Sequence, residues 1–489
     1  GLIAHLTGQG KVNTYMPPFL GTEKEKAALA AYLYRELHGK TPLENPSVSV
    51  RGEIPDLPEF DVRNQEYLIL SWNDLGMHCI SDNDKYFSFL PPANTLWAQV
   101  IKRGPKPEIV TEHIRLSYEV EEGHKHPERH VDFWEYADIV YGAKLEEGVG
   151  LTGNRVNGDF HTNKEKKSFV AELIPVVPYK DDGSFNPYPL FTVKAYDEET
   201  GVLLAETKVV APTSTEMGCR NCHGGGWKVN DFSGLSDETA MNILEVHDKR
   251  SGTNLLEDAL NGKPALCQSC HADPALMAPG KPEVINFSAA VHGFHANYLA
   301  GLDHEACMLC HPARPSGNTS CSRGRHNTSN LTCINCHGTM EDHGIALVKN
   351  ELAKKEAPRL VANIEGRYER NFEAVNPRMP WIMEPDCQNC HGDFDIKSQK
   401  SIGVSYNKWV PGFSVLYRNR TDNHGVMCAG CHSSPHAVYP AVNKYEENLD
   451  NLQALQYMGV AGTIGTSGNC KVCHIVEMNV NAHHRNMVK

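Results

Sequence analysis

Seven times the sequence reads Cys-x-x-Cys-His: Cys219, Cys222 and His223; Cys267, Cys270 and His271; Cys307, Cys310 and His311; Cys333, Cys336 and His337; Cys387, Cys390 and His391; Cys428, Cys431 and His432; Cys470, Cys473 and His474. Two thiols three positions apart reach the two vinyl groups of one heme, and the adjacent imidazole then points at the iron. At this Cys and His content chance would supply roughly 0.03 copies in the whole chain, so the repetition decides for covalent heme. Structural zinc pairs two Cys-x-x-Cys units per metal and needs no His after each. A thioredoxin-like dithiol would occur once, at the start of a helix. The expected cofactors are seven heme c groups, one per motif. Heme attachment to paired thiols takes place outside the cytoplasmic membrane, so the expected location is extracellular, cell surface or periplasmic.

Each iron has a sixth position to fill. Ten further histidines stand in the same segment: His247, His292, His295, His304, His326, His343, His424, His436, His483 and His484. That surplus favours bis-His coordination, which saturates the iron and leaves a one-electron carrier of lower potential than a Met/His heme. The distal candidates are His247, His292, His295, His326, His343, His424, His436 and His484. His292 and His295, at i and i+3, would share one helix face and serve two neighbouring hemes. His326 precedes the fourth motif and His343 follows it, while His424 and His436 bracket the sixth. His78, in Gly76-Met77-His78-Cys79, is a further candidate for the first heme. Taken singly, each is open to a plain surface or core role. Taken together they read as distal ligands. Cys79 and Cys321 belong to no motif; in an exported protein they can form one disulfide, and the sequence leaves open whether they meet.

The elements that must position these groups fall into four stretches, giving a multidomain chain. Residues 1–39 read as a helical fragment: Thr22 and Glu25 make a capping box ahead of an Ala/Leu run, and Gly39 is a stop. Residues 40–63 are a Pro-punctuated linker with Pro42, Pro46, Pro55 and Pro58. Residues 64–213 are expected to form a β-sandwich-like domain. Its strands include Glu66–Leu70, Thr95–Ile101, Ser168–Ile174, Phe191–Ala195 and Val202–Ala205, the last two joined as a hairpin through Asp197–Gly201. Residues 214–489 are the heptaheme domain, a heme-packed region of short helices and loops with little regular secondary structure. So short a stretch per heme leaves little room for a conventional core, and the porphyrins themselves supply buried apolar surface.

The chain has 489 residues, 40 % hydrophobic, with a net charge of −13. Two propionates per heme make the loaded protein more acidic still. That disfavours nucleic acid as a partner and suits a basic redox partner, though the charge is spread and also serves solubility. No apolar run is long enough to span a bilayer. Gly1-Leu2-Ile3-Ala4-His5 does not open a signal peptide, so the chain is expected to be a mature or truncated form.

Two resemblances follow from these residues. Trp72-Asn73-Asp74-Leu75-Gly76-Met77-His78-Cys79, followed by Leu90-Pro91-Pro92-Ala93-Asn94-Thr95-Leu96-Trp97-Ala98-Gln99, resembles the N-terminal β-domain of large multiheme c-type cytochromes secreted by dissimilatory metal-reducing bacteria. Thr215–His223 resembles the way that domain enters its first heme, and Cys321–His326 the lead into the fourth. The resemblance covers about residues 64–489 and implies extracellular electron transfer. Tyr15-Met16-Pro17-Pro18-Phe19 and the helix after it resemble the C-terminal half of a class I monoheme cytochrome c, in which Met16 would be the axial sulfur. No Cys-x-x-Cys-His precedes it, so an eighth heme upstream of Gly1 is expected if the chain has lost its beginning.

The leading reading is an electron carrier rather than an enzyme, passing single electrons between redox partner proteins or to an extracellular acceptor. A multiheme reductase or oxidase of a small nitrogen or sulfur compound is the alternative. It would need one open-site heme, and no Cys-x-x-Cys-Lys marks one. A third reading, self-association into a polymeric cytochrome filament, modifies the first without opposing it.

Overall fold

A computed structural model describes Leu29, Tyr32 and Leu33, and residues 55–476 apart from 75, 225–234, 314–316, 366–370, 392–404, 413–414, 447 and 466–468. Leu29, Tyr32 and Leu33 are helical. The rest of the expected N-terminal fragment, Met16 included, and His483 and His484 lie outside the described residues.

From Tyr67 the chain builds twelve strands before the first motif: β1 (Tyr67–Asn73), β2 (His78–Cys79), β3 (Phe87–Ser88), β4 (Asn94–Lys102), β5 (Glu108–Val110), β6 (Ile114–Val120), β7 (Asn157–Asp159), β8 (His161–Asn163), β9 (Ser168–Ile174), β10 (Leu190–Asp197), β11 (Leu203–Val210) and β12 (Thr213–Ser214). Strand β6 shows why they pack. Its alternate residues Ile114, Leu116, Tyr118 and Val120 are buried while Arg115 and Glu119 face water. One sheet runs β1-β4-β9-β8 with β5 also on β4; the other runs β11-β10-β6-β7. Their facing sides bury Ile69, Leu96, Val100, Leu116, Phe169, Phe191 and Val193 in one core, which is the expected sandwich. The hairpin of β10 and β11 closes where Gly201, at φ 70°, donates to the Asp197 carbonyl at 2.9 Å. Only a residue tolerant of the left-handed region fits there.

Strand β1 departs from alternation because both of its faces are covered. Leu68, Leu70 and Trp72 turn away from the sandwich into a second core with Met427, Ala429, Tyr439, Ala454 and Tyr457. Tyr457 Oη donates to the Ile69 carbonyl at 2.6 Å, and Gln453 Oε1 accepts from Ser71 N at 2.9 Å. The β-rich region is thereby seated on the C-terminal motifs.

Beyond Ser214 come short helices, single helical turns and loops. The longest helix among the described residues, Asp237–Ser251, is capped by Ser236, whose hydroxyl accepts from Thr239 N at 3.2 Å. Helices Phe287–Leu299, Met340–Lys349 and Ala357–Glu365 pack on one another around Ala289, Ala296, Ile345, Leu347 and Ile364. The first two cross closely. A Cβ on Gly293 would lie 2.6 Å from Val348 Cγ2, and one on Gly344 3.0 Å from Ala296 Cβ. Among the described residues no helix is long and apolar enough to cross a membrane.

Candidate heme-binding site

Every motif is built as one turn of helix. His223 N donates to the Cys219 carbonyl at 3.0 Å, His271 to Cys267 at 3.1 Å, His311 to Cys307 at 2.9 Å, His391 to Cys387 at 2.8 Å and His474 to Cys470 at 2.9 Å. Cys333–His337 and Cys428–His432 are themselves short α-helices. At i, i+3 and i+4 a helical turn sets both thiols and the imidazole on one side.

All seven of these turns face one continuous cavity of about 2640 Å³, lined by all fourteen motif cysteines and all seven motif histidines. An ordinary small-molecule pocket occupies roughly 300–1,000 Å³. Protein interiors are otherwise close-packed, so a space of this size and lining is a cradle for large rigid groups. The walls are mainly apolar (Phe87, Phe89, Leu244, Ile285, Phe287 and Leu360 among them), as porphyrin faces require.

Imidazoles of the first five motifs each face another imidazole in this cavity. Ring centres of His223 and His295 are 6.4 Å apart, of His247 and His271 6.3 Å, of His292 and His311 6.1 Å, and of His326 and His391 6.1 Å. His337 lies 6.2 Å from His436 and 5.9 Å from His343. A metal sits about 2.0 Å from an imidazole nitrogen, itself about 1.1 Å from the ring centre, so two rings across one metal are about 6.2 Å apart. In every case one partner is a motif histidine and the other is not. His343 also touches His292 edge-on at 4.6 Å, too close for an atom between them. The residues present fit the group that the motifs imply.

Their second nitrogens are held from behind. Nδ1 donates to the Ile285 carbonyl in His271 (2.7 Å), to Ser288 in His292 (2.8 Å), to Val291 in His295 (2.7 Å) and to Pro105 in His474 (3.2 Å). A carbonyl accepts only, so these four rings keep Nε2 unprotonated for a metal. His223 Nδ1 lies 3.1 Å from Asn242 Oδ1, and His247 Nδ1 3.1 Å from Thr253 Oγ1. Burial lowers His292 and His436 to about 4, and neutral imidazole is the metal-binding form.

Other expected residues fall out as follows. His424 lines the same cavity, and its backbone N donates to Asp422 Oδ1 at 2.8 Å. His304 is not among the lining residues. His78 lines the cavity too, buried, and burial lowers it to about 4. The ring facing His223 at 6.4 Å, however, is His295. Arg378 was not legible in the sequence: its Nη1 lies 3.4 Å from His343 Nδ1 and its Nε donates to the Met383 carbonyl at 3.1 Å. No local pattern around Arg378 marks it, because its position against His343 depends on a distant helix.

Contacts around the thiols show which motifs are neighbours. Cys219 and Cys267 pack on one cluster with Phe87 and Phe89, and Cys310 adds to the raised pKa that burial gives Cys219. The helices Asp303–Met308 and Cys333–His337, which carry Cys307 and Cys333, lie against each other. Cys431 and Cys473 pack on one apolar cluster with Met427 and Tyr457. Among the described residues no three or more His, Cys, Asp or Glu side chains converge as they would around a zinc ion.

Residues 299–485 match the family described as outer membrane cytochrome MtrC/MtrF-like, domains II/IV. Over that span the chain is similar to the multiheme cytochromes of metal-reducing bacteria, as its sequence implied. No curated protein and no solved structure matches it.

Proposed function

We propose that this multiheme cytochrome is an extracellular or periplasmic electron carrier, a one-electron relay with seven heme c groups, one on each Cys-x-x-Cys-His motif. Bound heme supplies the reversible ferric/ferrous exchange of one electron. The chain supplies the rest. Fourteen thiols hold the porphyrins by thioether bonds, and His223, His271, His311, His337, His391, His432 and His474 stand on the proximal side. Facing them we assign His295 to the first group, His247 to the second, His292 to the third and His326 to the fifth. His436 serves the fourth, since its 6.2 Å separation from His337 meets the expected span better than the 5.9 Å of His343. His424 is assigned to the sixth or seventh, by its place beside Asp422.

The observation that carries this reading is the five imidazole pairs, each joining one motif to one histidine elsewhere at 6.1–6.4 Å. Two strong nitrogen ligands leave no open coordination site, which favours carrying electrons over binding a small substrate. The matched family consists of outer membrane cytochromes, which supports a cell-surface location and an extracellular acceptor or a redox partner protein. The test is intact mass with a reductive titration of the purified protein. A mass above the polypeptide by seven hemes and a wholly low-spin spectrum are expected. A colourless protein, or a dominant high-spin signal, would reject the reading.

A further inference from the structure

Two cysteines outside the motifs are brought together by the contacts of their own backbones and of their neighbours. Cys79 lies on β2, which pairs in parallel with β12 so that Cys79 is opposite Ser214. Ser214 Oγ in turn lies 3.1 Å from Thr319 Oγ1, two residues before Cys321. On the other side, Arg323 Nη2, two residues after Cys321, donates to the Gly76 carbonyl at 2.6 Å. The backbones are held as well. Ile80 N donates to the Ser214 carbonyl at 2.9 Å, Cys321 N to the Pro312 carbonyl at 2.7 Å, and Ser320 N to Tyr188 Oη at 3.0 Å. Both cysteines then pack on the same buried cluster of Met77, Tyr188, Val210 and Tyr445.

We propose that Cys79 and Cys321 form a disulfide that ties the β-sandwich to the loop leading into the fourth motif. Anchored on both sides, the two residues lose little freedom when the bond closes, and the compartment is one in which such bonds persist. In forming it, each S–H bond breaks and one sulfur–sulfur bond is made. Both protons and both electrons pass to the disulfide of a thiol oxidase, which leaves as two thiols. The hydrogen bond with the Cys321 thiol, and then burial, raise the pKa of Cys79 well above the usual thiol range. A thiol so held is a poor nucleophile once the site is closed. The bond joins segments already held together by hydrogen bonds on both sides, and is structural, made as the chain folds.

The test uses the full exported protein, unfolded in guanidinium with excess iodoacetamide, with and without prior reduction. Without reductant, neither residue is labelled, and digestion releases one linked peptide pair holding Cys79 and Cys321. After reduction each takes one label. In the Cys79→Ser variant, Cys321 is labelled without any reductant. Labelling of both residues in the unreduced wild type overturns the proposal, as does a Cys321 that stays unlabelled in that variant. The motif thiols report separately: if they label while Cys79 and Cys321 do not, the heme reading fails and the disulfide stands.

Discussion

The imidazoles of His292 and His311 face each other with planes only 11° from parallel, whereas His295 meets His223 at 80° and His247 meets His271 at 86°. Across one iron, parallel rings donate along a single direction and split the iron d orbitals. Perpendicular rings donate along two and leave those orbitals nearly degenerate. The oxidised protein should then show both an ordinary rhombic low-spin EPR signal and strongly anisotropic ones. Replacing His292 by Ala should remove one rhombic component and create a high-spin one; an unchanged spectrum would mean that His292 is no ligand.

His247 lies on the helix Asp237–Ser251, where Met is a good helix former. His247→Met should keep the fold and raise one midpoint potential by on the order of 0.1 V, part of the ~0.8 V that axial ligation spans. Spectroelectrochemical titration reads this directly, and seven unmoved potentials would reject the assignment.

Gly293 stands between His292 and His295, where the helix Phe287–Leu299 touches Val348. Gly293→Val overpacks that crossing at a cost of about 1–3 kcal/mol. Because both histidines ride on the same turn, the change should disturb the first and third hemes together. Loss of a single low-spin component would show that the helix does not move as a unit.

Arg323 and Asp450 form a fully buried two-pronged pair, Nε to Oδ2 at 2.6 Å and Nη2 to Oδ1 at 2.9 Å. Arg323→Met would strand the carboxylate and cost about 3–5 kcal/mol, while Arg323→Met with Asp450→Leu should cost distinctly less. Denaturant unfolding of the wild type, both single variants and the double variant gives the coupling. Additive losses would mean that the pair acts only as two packing groups.

In the β-rich region His124 is buried, 3.5 Å from Glu121 Oε1 and without hydrogen-bond geometry to it. Burial, then Lys180, lowers it to about 4, against the opposing pull of Asp181 and Asp182. The unfolded chain protonates near 6.5, so between the two values the unfolded state holds more protons. Its contribution to stability is full above pH 6.5 and is lost as pH falls toward 4. About 2 kcal/mol should be gone by pH 5. Unfolding at pH 7 and pH 5 should show a shallower pH slope in His124→Gln; an equal slope would place the sensitivity elsewhere.

What the sequence determined by itself is local. Two thiols and an imidazole within five residues need only one helical turn to come together, so all seven attachment motifs were legible. So was the hairpin that closes at Gly201, since it is set by neighbours in the chain. The pairing of histidines was not. The i, i+3 spacing of His292 and His295 fixed a shared helix, and only the close crossing at Gly293 and Gly344 decided that they reach the third and first motifs. Arg378, the doubly covered face of β1, and the meeting of Cys79 with Cys321 were hidden for the same reason. Each depends on surfaces from distant parts of the chain excluding water together, and no short stretch of sequence records which surfaces those are.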